Sequence, residues 1–182
     1  MTNQGGKEEG IMLRKLSLLA ILILGLCLVA SPALAGRNGP AGGSNTGHLD
    51  LYEKDCGDWT IIEGGASGRM TYNLSGPTFD FVFNGHGLEP GTAYTLIYYP
   101  DPWPGNGLIV LGSGTANGGG NVHIANSVDT GDLPAANDTN EGAKIWLVLS
   151  ADVDTANHKM GAWNCAEYLF EYDLITFEDT DD

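Results

Sequence analysis

The sequence predicts an all-β fold, a Greek-key and mainly antiparallel β-sandwich of about eight strands. Three observations carry that expectation. Short segments rich in Thr, Tyr, Phe, Val and Ile recur between glycine-rich breaks, which is the grammar of strands and turns. Several of them alternate apolar and polar residues, the period of a ribbon with one buried face. Beyond residue 35, no window of a dozen residues carries a helical apolar period, so helix is expected only in short connections such as Ala135–Glu141.

The candidate strands run Gly47–Lys54, Trp59–Ile62, Ser67–Ser75, Thr78–Asn84, Ala93–Tyr99, Gly107–Ala116, Asn121–Ser127, Ala143–Ala151 and Tyr168–Phe177, the second able to merge with the third. In the fourth, Phe79, Phe81 and Phe83 share one side while Asp80 and Asn84 take the other, so one aromatic face is buried. Tyr94, Leu96 and Tyr98 follow the same period in the fifth. Ile145-Trp146-Leu147-Val148-Leu149 is apolar on both sides, as a central strand or one with a covered outer face must be. The last candidate places Phe170, Tyr172 and Leu174 inward, opposite Glu171 and Asp173. Asn117-Gly118-Gly119-Gly120, between two alternating segments, signals a hairpin, because Gly and Asn accept positive φ.

Ahead of this domain stands an export signal. Met12-Leu13-Arg14-Lys15 is a basic start, Leu16 to Ala30 an almost unbroken apolar run, and Ser31-Pro32-Ala33-Leu34-Ala35 an A-x-A exit, so cleavage is expected before Gly36. The run is shorter than the roughly 20 residues that cross a bilayer. Glu8 and Glu9 stand where a basic region belongs, which points to Met12 as the start of translation. The resulting division is a signal peptide over 1–35, a Gly, Asn and Pro linker over 36–47, a β domain over 48–178 and an acidic tail over 179–182.

The chain carries a formal net charge of −15. Its basic residues after the signal are Arg37, Lys54, Arg69, Lys144 and Lys159. That balance argues against nucleic acid and against anionic lipid surfaces, so the expected product is secreted, extracellular and free of the membrane once the signal is removed. Cys27 leaves with the signal, and Cys56 and Cys165 remain. An even count in an exported protein favours a disulfide, whereas no CxxC or His-x-His completes a zinc set. A bond closing a loop of roughly a hundred residues contributes on the order of 4–5 kcal/mol.

Leu88-Glu89-Pro90-Gly91-Thr92-Ala93-Tyr94-Thr95-Leu96 reads L-x-P-G-T-x-Y-x-L and resembles the tyrosine corner of fibronectin type III and related Ig-like sandwiches. The resemblance implies that the Tyr94 hydroxyl turns back to the backbone upstream and that Leu88 fills the core beneath. It covers under a tenth of the secreted chain, and more strands follow than a fibronectin domain has. As a whole, the chain resembles uncharacterised secreted β-sandwich proteins of archaea, a likeness that implies a fold and no activity.

Candidate sites follow from side-chain chemistry. Tyr98-Tyr99-Pro100-Asp101-Pro102-Trp103-Pro104-Gly105 is a proline-stiffened loop that presents Trp103, with Tyr99 and Asp101 beside it, for a ring that stacks on a sugar or packs against a partner at small entropic cost. Asp152, Asp154 and Asn157 are hard oxygen ligands on a loop and raise a structural Ca²⁺, although no EF-hand pattern is present. No other cofactor is implied. Asn73-Leu74-Ser75 and Asn137-Asp138-Thr139 fit the N-glycosylation pattern, Asn137 in the more polar loop. His48, His86, His123 and His158 show no ligand spacing, with His123 facing outward and His86 in a turn. G-x-S-x-G and H-E-x-x-H are both missing from the sequence.

These features favour a noncatalytic cell-surface or matrix module that binds a glycan or a surface protein, or serves structurally, with loops carrying specificity. Two other readings stay open: a small secreted carbohydrate-active hydrolase with paired carboxylates, and a surface filament subunit that assembles by adding its first strand to a neighbouring sheet edge.

Overall fold

The computed structural model describes residues 44–181. The expected signal peptide, its cleavage site and most of the linker lie outside the described residues. The fold of the described residues is all-β, and its main sheet is antiparallel throughout. Twelve strands occur among the described residues: β1 Thr46–Tyr52, β2 Ser67–Asn73, β3 Ser75–Gly76, β4 Phe79–His86, β5 Ala93–Tyr99, β6 Ile109–Thr115, β7 Val122–Val128, β8 Lys144–Leu149, β9 Val153–Asp154, β10 Lys159–Met160, β11 Leu169–Glu171 and β12 Glu178–Asp179. Eight form one sheet in the order β6-β5-β8-β11-β1-β2-β4-β7. The sheet curls until its two edges, β6 and β7, lie side by side, so the two halves face each other as a sandwich that is nearly a closed barrel. Across that seam β5, β6 and β7 are successive neighbours and β4 lies beside β7, a Greek key.

The inner face is the main core. Phe79, Phe81 and Phe83 are buried and their intervening neighbours exposed, so the alternation of β4 places its faces correctly. Leu49, Leu51, Met70, Tyr94, Leu96, Tyr98, Ile145 and Leu147 join them from the other strands. The Tyr94 hydroxyl accepts the Glu89 N–H at 3.2 Å over buried Leu88, closing the arch that enters β5.

The glycine turn after β6 joins strands that approach without forming a ladder. Gly120 N–H donates to Asn117 O, and Asn117 N–H to Asn121 O, but β6 pairs only with β5 and β7 only with β4. The seam is closed by side chains. A Cβ on Gly112 would stand 2.7 Å from the Ile124 side chain and one on Gly114 2.8 Å from Val122. The apolar side chains of β7 therefore rest on bare β6 backbone, and Asn126 Nδ2 donates to Leu111 O at 2.8 Å.

A second core lies on the outer face of β5, β8 and β11. It gathers Ile97, Tyr99, Leu108, Trp146, Val148, Met160, Cys165, Tyr168 and Phe170. The chain between β8 and β11 folds back over it through the β9–β10 pair and a 3₁₀ turn at Cys165–Glu167. The 100–108 loop joins this cover, because Met160 N–H donates to Pro104 O and Leu108 N–H to His158 O. Asp152, buried beneath, accepts from the Tyr168 hydroxyl at 2.5 Å and from Asn164 Nδ2 at 2.8 Å. Cys56 and Cys165 are disulfide-bonded across a sequence separation of 109, with Cα atoms 6.0 Å apart.

Several local expectations change. Trp59–Ile62 is irregular chain between two turns, with one isolated bridge, Lys54 to Ile61. Asp55 Oδ1 accepts from the Gly57 and Asp58 N–H groups, Asp58 Oδ1 accepts from Thr60, and Trp59 takes φ 63°, so side-chain bonds to the backbone displace the strand. Ala135–Glu141 stays non-helical because Asp138 holds Asn140 and the Tyr98 hydroxyl. The last strand breaks after Glu171, leaving Tyr172 and Leu174 exposed while Ile175 and Phe177 return to the core through bridges to Ala143 and Leu133. Phe170 faces the outer core, not the inner one. Strand β1 starts at Thr46, within the expected linker. It also runs into the expected acidic tail, where β12 pairs with β3 and Asp179 N–H donates to Asp132 Oδ1. His86 ends β4, where it meets Asn121.

Two predictions test this frame. Gly114→Val forces a branched side chain into the Val122 contact and is expected to cost about 1–3 kcal/mol, read as a lowered denaturant midpoint. Cys56→Ala with Cys165→Ala should cost about 2–5 kcal/mol, with an unchanged far-UV spectrum at low temperature.

Candidate functional site

The four tryptophans of the protein, Trp59, Trp103, Trp146 and Trp163, line one cavity of about 530 Å³ together with Tyr99, Asp101 and Lys144. It opens on the outer face of β5 and β8. Tyr99 ends β5 and Lys144 begins β8, and the two are register partners. Ile97 partners Trp146 two residues on, and Trp146 in turn partners Phe170 of β11. The ladder thereby fixes the floor. Tyr99 and Trp146 stack at 3.8 Å between centroids and 13° between planes, a near-parallel contact that immobilises both rings.

Loops supply the walls. Trp103 comes from the proline loop after β5 and meets Trp163 edge to face at 5.5 Å. Trp163 also contacts Trp59, Trp146, Tyr168 and Phe170. Trp59 meets Phe170 edge to face at 5.1 Å. A left-handed backbone costs a non-glycine residue on the order of 1 kcal/mol. At Trp59 the Asp55 and Asp58 turns and the neighbouring Cys56–Cys165 bond hold it. Trp59, Trp103 and Trp163 remain 49%, 51% and 42% exposed, so three indoles stay partly open to solvent while Trp146 forms the floor.

Charge at the site is sparse and balanced. Lys144 Nζ is ion-paired with Asp101. Burial, with Asp101 nearby, pushes the Tyr99 phenol up to about 12. Beside the main cavity, Lys54, Trp59, Lys144, Trp146, Phe170 and Glu171 enclose an inner pocket of about 170 Å³. Lys54 Nζ donates to the Glu171 carbonyl at 2.7 Å. Burial raises the Glu171 carboxyl to about 7, against the opposing pull of its own backbone N–H, of Lys54 and Lys144, and of the adjacent Trp146 indole. Trp146 Nε1 and Glu171 Oε2 are both buried, and neither has a hydrogen-bond partner of acceptable geometry in the protein.

The sequence-derived residues separate into those that meet and those that do not. Tyr99, Asp101 and Trp103 converge on the cavity. Asp152, Asp154 and Asn157 serve separate purposes: Asp152 is bound to Tyr168 and Asn164, whereas Asp154 and Asn157 bond each other in an exposed turn. Those three do not form the shared oxygen cage that Ca²⁺ requires, and the described residues contain no group of three metal-ligating side chains. Asn73 donates to Ser75 O and Thr78 O and accepts from Asp80 N–H, so a glycan on its amide would dismantle the β2–β4 turn. Asn137 is exposed in its loop. Trp59, Trp146, Trp163, Lys144 and Glu171 were not legible as site residues. Trp59 and Trp163 lie three and two residues from the bonded cysteines, and that spacing was the available signal.

Compared with protein-family models, with curated proteins and with solved structures, the chain gives no match.

Glu171 makes stability pH-dependent in a definite direction. Its folded pKa, about 7, exceeds its ordinary value of 4.5. The buried group therefore costs nothing where both states are protonated, and it opposes folding increasingly as pH rises from 4.5 to about 7. Glu171→Gln is expected to stabilise the fold by up to about 3 kcal/mol above that range and to make little difference below it. Urea melts of both proteins across the range check the sign.

Proposed function

We propose that this protein is a secreted, noncatalytic β-sandwich module that binds glycans through its tryptophan cleft. The observation that carries the reading is the convergence of four tryptophans, distant in sequence, on one open cavity. Exposed indoles bring a hydration cost, and unrelated loops have no packing reason to present three of them in one place. Flat indole faces match the apolar C–H face of a pyranose ring, and the rigid scaffold beneath limits the entropy lost on binding. The chain's acidity and its disulfide fit an exported protein.

Two competing readings have less support. Hydrolysis by paired carboxylates needs two free acids, and at this cleft Asp101 is held by Lys144, leaving Glu171. Strand addition by the first strand needs a free edge, and β1 is paired with β11 on one side and β2 on the other.

Trp103→Ala is the direct test. Quenching of intrinsic fluorescence by soluble neutral polysaccharides such as dextran, mannan and galactan should reveal binding by the wild type. The substitution should weaken it about 3- to 10-fold, the worth of one aromatic contact, with a small change in Tm because half of the ring is exposed. Equal titrations for the two proteins would refute the reading.

A further inference from the structure

The walls of the tryptophan cavity do not make a platform. Trp103 stands at 81° to Trp163, Trp59 at 53° and Trp146 at 59°, so the indoles flank the space from several directions. A flat polysaccharide surface needs coplanar rings, whereas inclined rings suit one sugar enclosed between them. The cavity volume of about 530 Å³ lies within the roughly 300–1,000 Å³ of pockets that take a small ligand.

Five of the seven lining residues are aromatic, and the other two, Asp101 and Lys144, form an ion pair. That pair is within reach of a ligand, because the two side chains keep 31% and 23% of their surface exposed. Lys144 Nζ donates to Asp101 Oδ2, and this one contact uses a fraction of what the groups offer: an ammonium has three donors and a carboxylate about four acceptor sites. Both ends are also held in place. Lys144 opens β8 as the register partner of Tyr99, and Asp101 lies between Pro100 and Pro102, which restrict the backbone on either side of it.

The ligand chemistry follows from that pair. A donor fixed beside an acceptor at ion-pair spacing matches two adjacent hydroxyls, one accepting from Nζ and the other donating to the carboxylate. The pair carries no net charge, so it favours a neutral ligand. An organic cation suits aromatic faces, but in this cavity it meets the Lys144 ammonium.

Resting on the glycan-binding reading, we propose that the cleft takes one pyranose at a time and that the Asp101–Lys144 pair sets its specificity, holding two vicinal hydroxyls of the ring while the inclined indoles cover its faces. Trp103 and its fellow indoles supply affinity for any pyranose, and the ion pair selects the one whose adjacent hydroxyls reach it.

A mutant cycle with ligand analogues tests this. The probes are the methyl glycosides of glucose, mannose and galactose, each with its 2-, 3- and 4-deoxy analogues, titrated by tryptophan fluorescence against wild type, Asp101→Ala, Lys144→Met and Trp103→Ala. At least one hexoside should bind, and loss of either of two adjacent hydroxyls should weaken it about 10-fold or more, the equivalent of one hydrogen bond to a charged group. Asp101→Ala and Lys144→Met should each weaken the parent hexoside by a similar factor and leave the analogue lacking the corresponding hydroxyl unchanged. Trp103→Ala should weaken parent and analogues alike. The ion pair is partly exposed, so the Tm of both variants should stay close to that of the wild type. If the two variants weaken parent and analogues equally, if no two adjacent hydroxyls matter, or if the polysaccharides bind and no hexoside does, the role of the pair falls and the glycan cleft stands. If neither the hexosides nor the polysaccharides bind, or if tetramethylammonium binds in their place, both fall.

Discussion

Strand β8 is apolar on both faces, and that forces the rest of the architecture. Ile145 and Leu147 face the interior of the curled sheet, while Trp146 and Val148 face outward. A sheet with one solvated face cannot accommodate such a strand, because each exposed large apolar side chain forfeits about 1.5–3 kcal/mol of burial. The outer side therefore needs a cover of its own. The fold provides it with chain from both directions: the proline loop after β5, and the excursion from Val153 to Tyr168 that separates β8 from β11. Main-chain bonds from Gly107, Leu108 and Met160 lock the two together, and the disulfide pins the excursion to the turn after β1.

The cleft is a consequence of that cover. Loops laid over an apolar face protect most of it and stop short at one end, where Trp146 forms a floor and Trp59, Trp103 and Trp163 form a rim. Rigid floor and stiff walls arise from different causes. Ladder register places Tyr99 against Lys144 and Ile97 against Trp146, with the Tyr99 and Trp146 rings stacked over that floor. By contrast, side-chain bonds from Asp55 and Asp58 hold Trp59 in a backbone region that a bulky residue otherwise avoids. A site assembled this way is preformed, and it spends little ordering entropy when a ligand arrives. At the seam, the same sequence uses the lack of side chains: Gly112 and Gly114 let Ile124 and Val122 pack against β6 backbone.

Legibility in the sequence tracked how local the cause was. The faces of β4 were readable because Phe79, Phe81 and Phe83 obey period two without interruption. The double burial of β8 was readable from an unbroken apolar run. The last strand misled, because its alternation continues through Tyr172 and Leu174 while its pairing stops at Glu171. Asp152 and Asp154 looked like ligands because carboxylates on loops suit Ca²⁺, yet a buried tyrosine and an asparagine had prior claim to Asp152. At the cleft, Tyr99, Asp101 and Trp103 were legible as a set because they occupy one short loop.

By itself the sequence determined the fold class, the two-sided burial of β8, the cysteine pair and the loop that presents Trp103. Each of these follows from neighbours in the chain, or from a count of two. Only the tertiary structure decided that the sheet closes across a glycine seam, that the outer face becomes a second core, and that Trp59, Trp146 and Trp163 join Trp103 around one cavity. Those outcomes depend on which strands become neighbours, and the order β5-β8-β11-β1 is set by the burial of many side chains at once. No local period records such a sum.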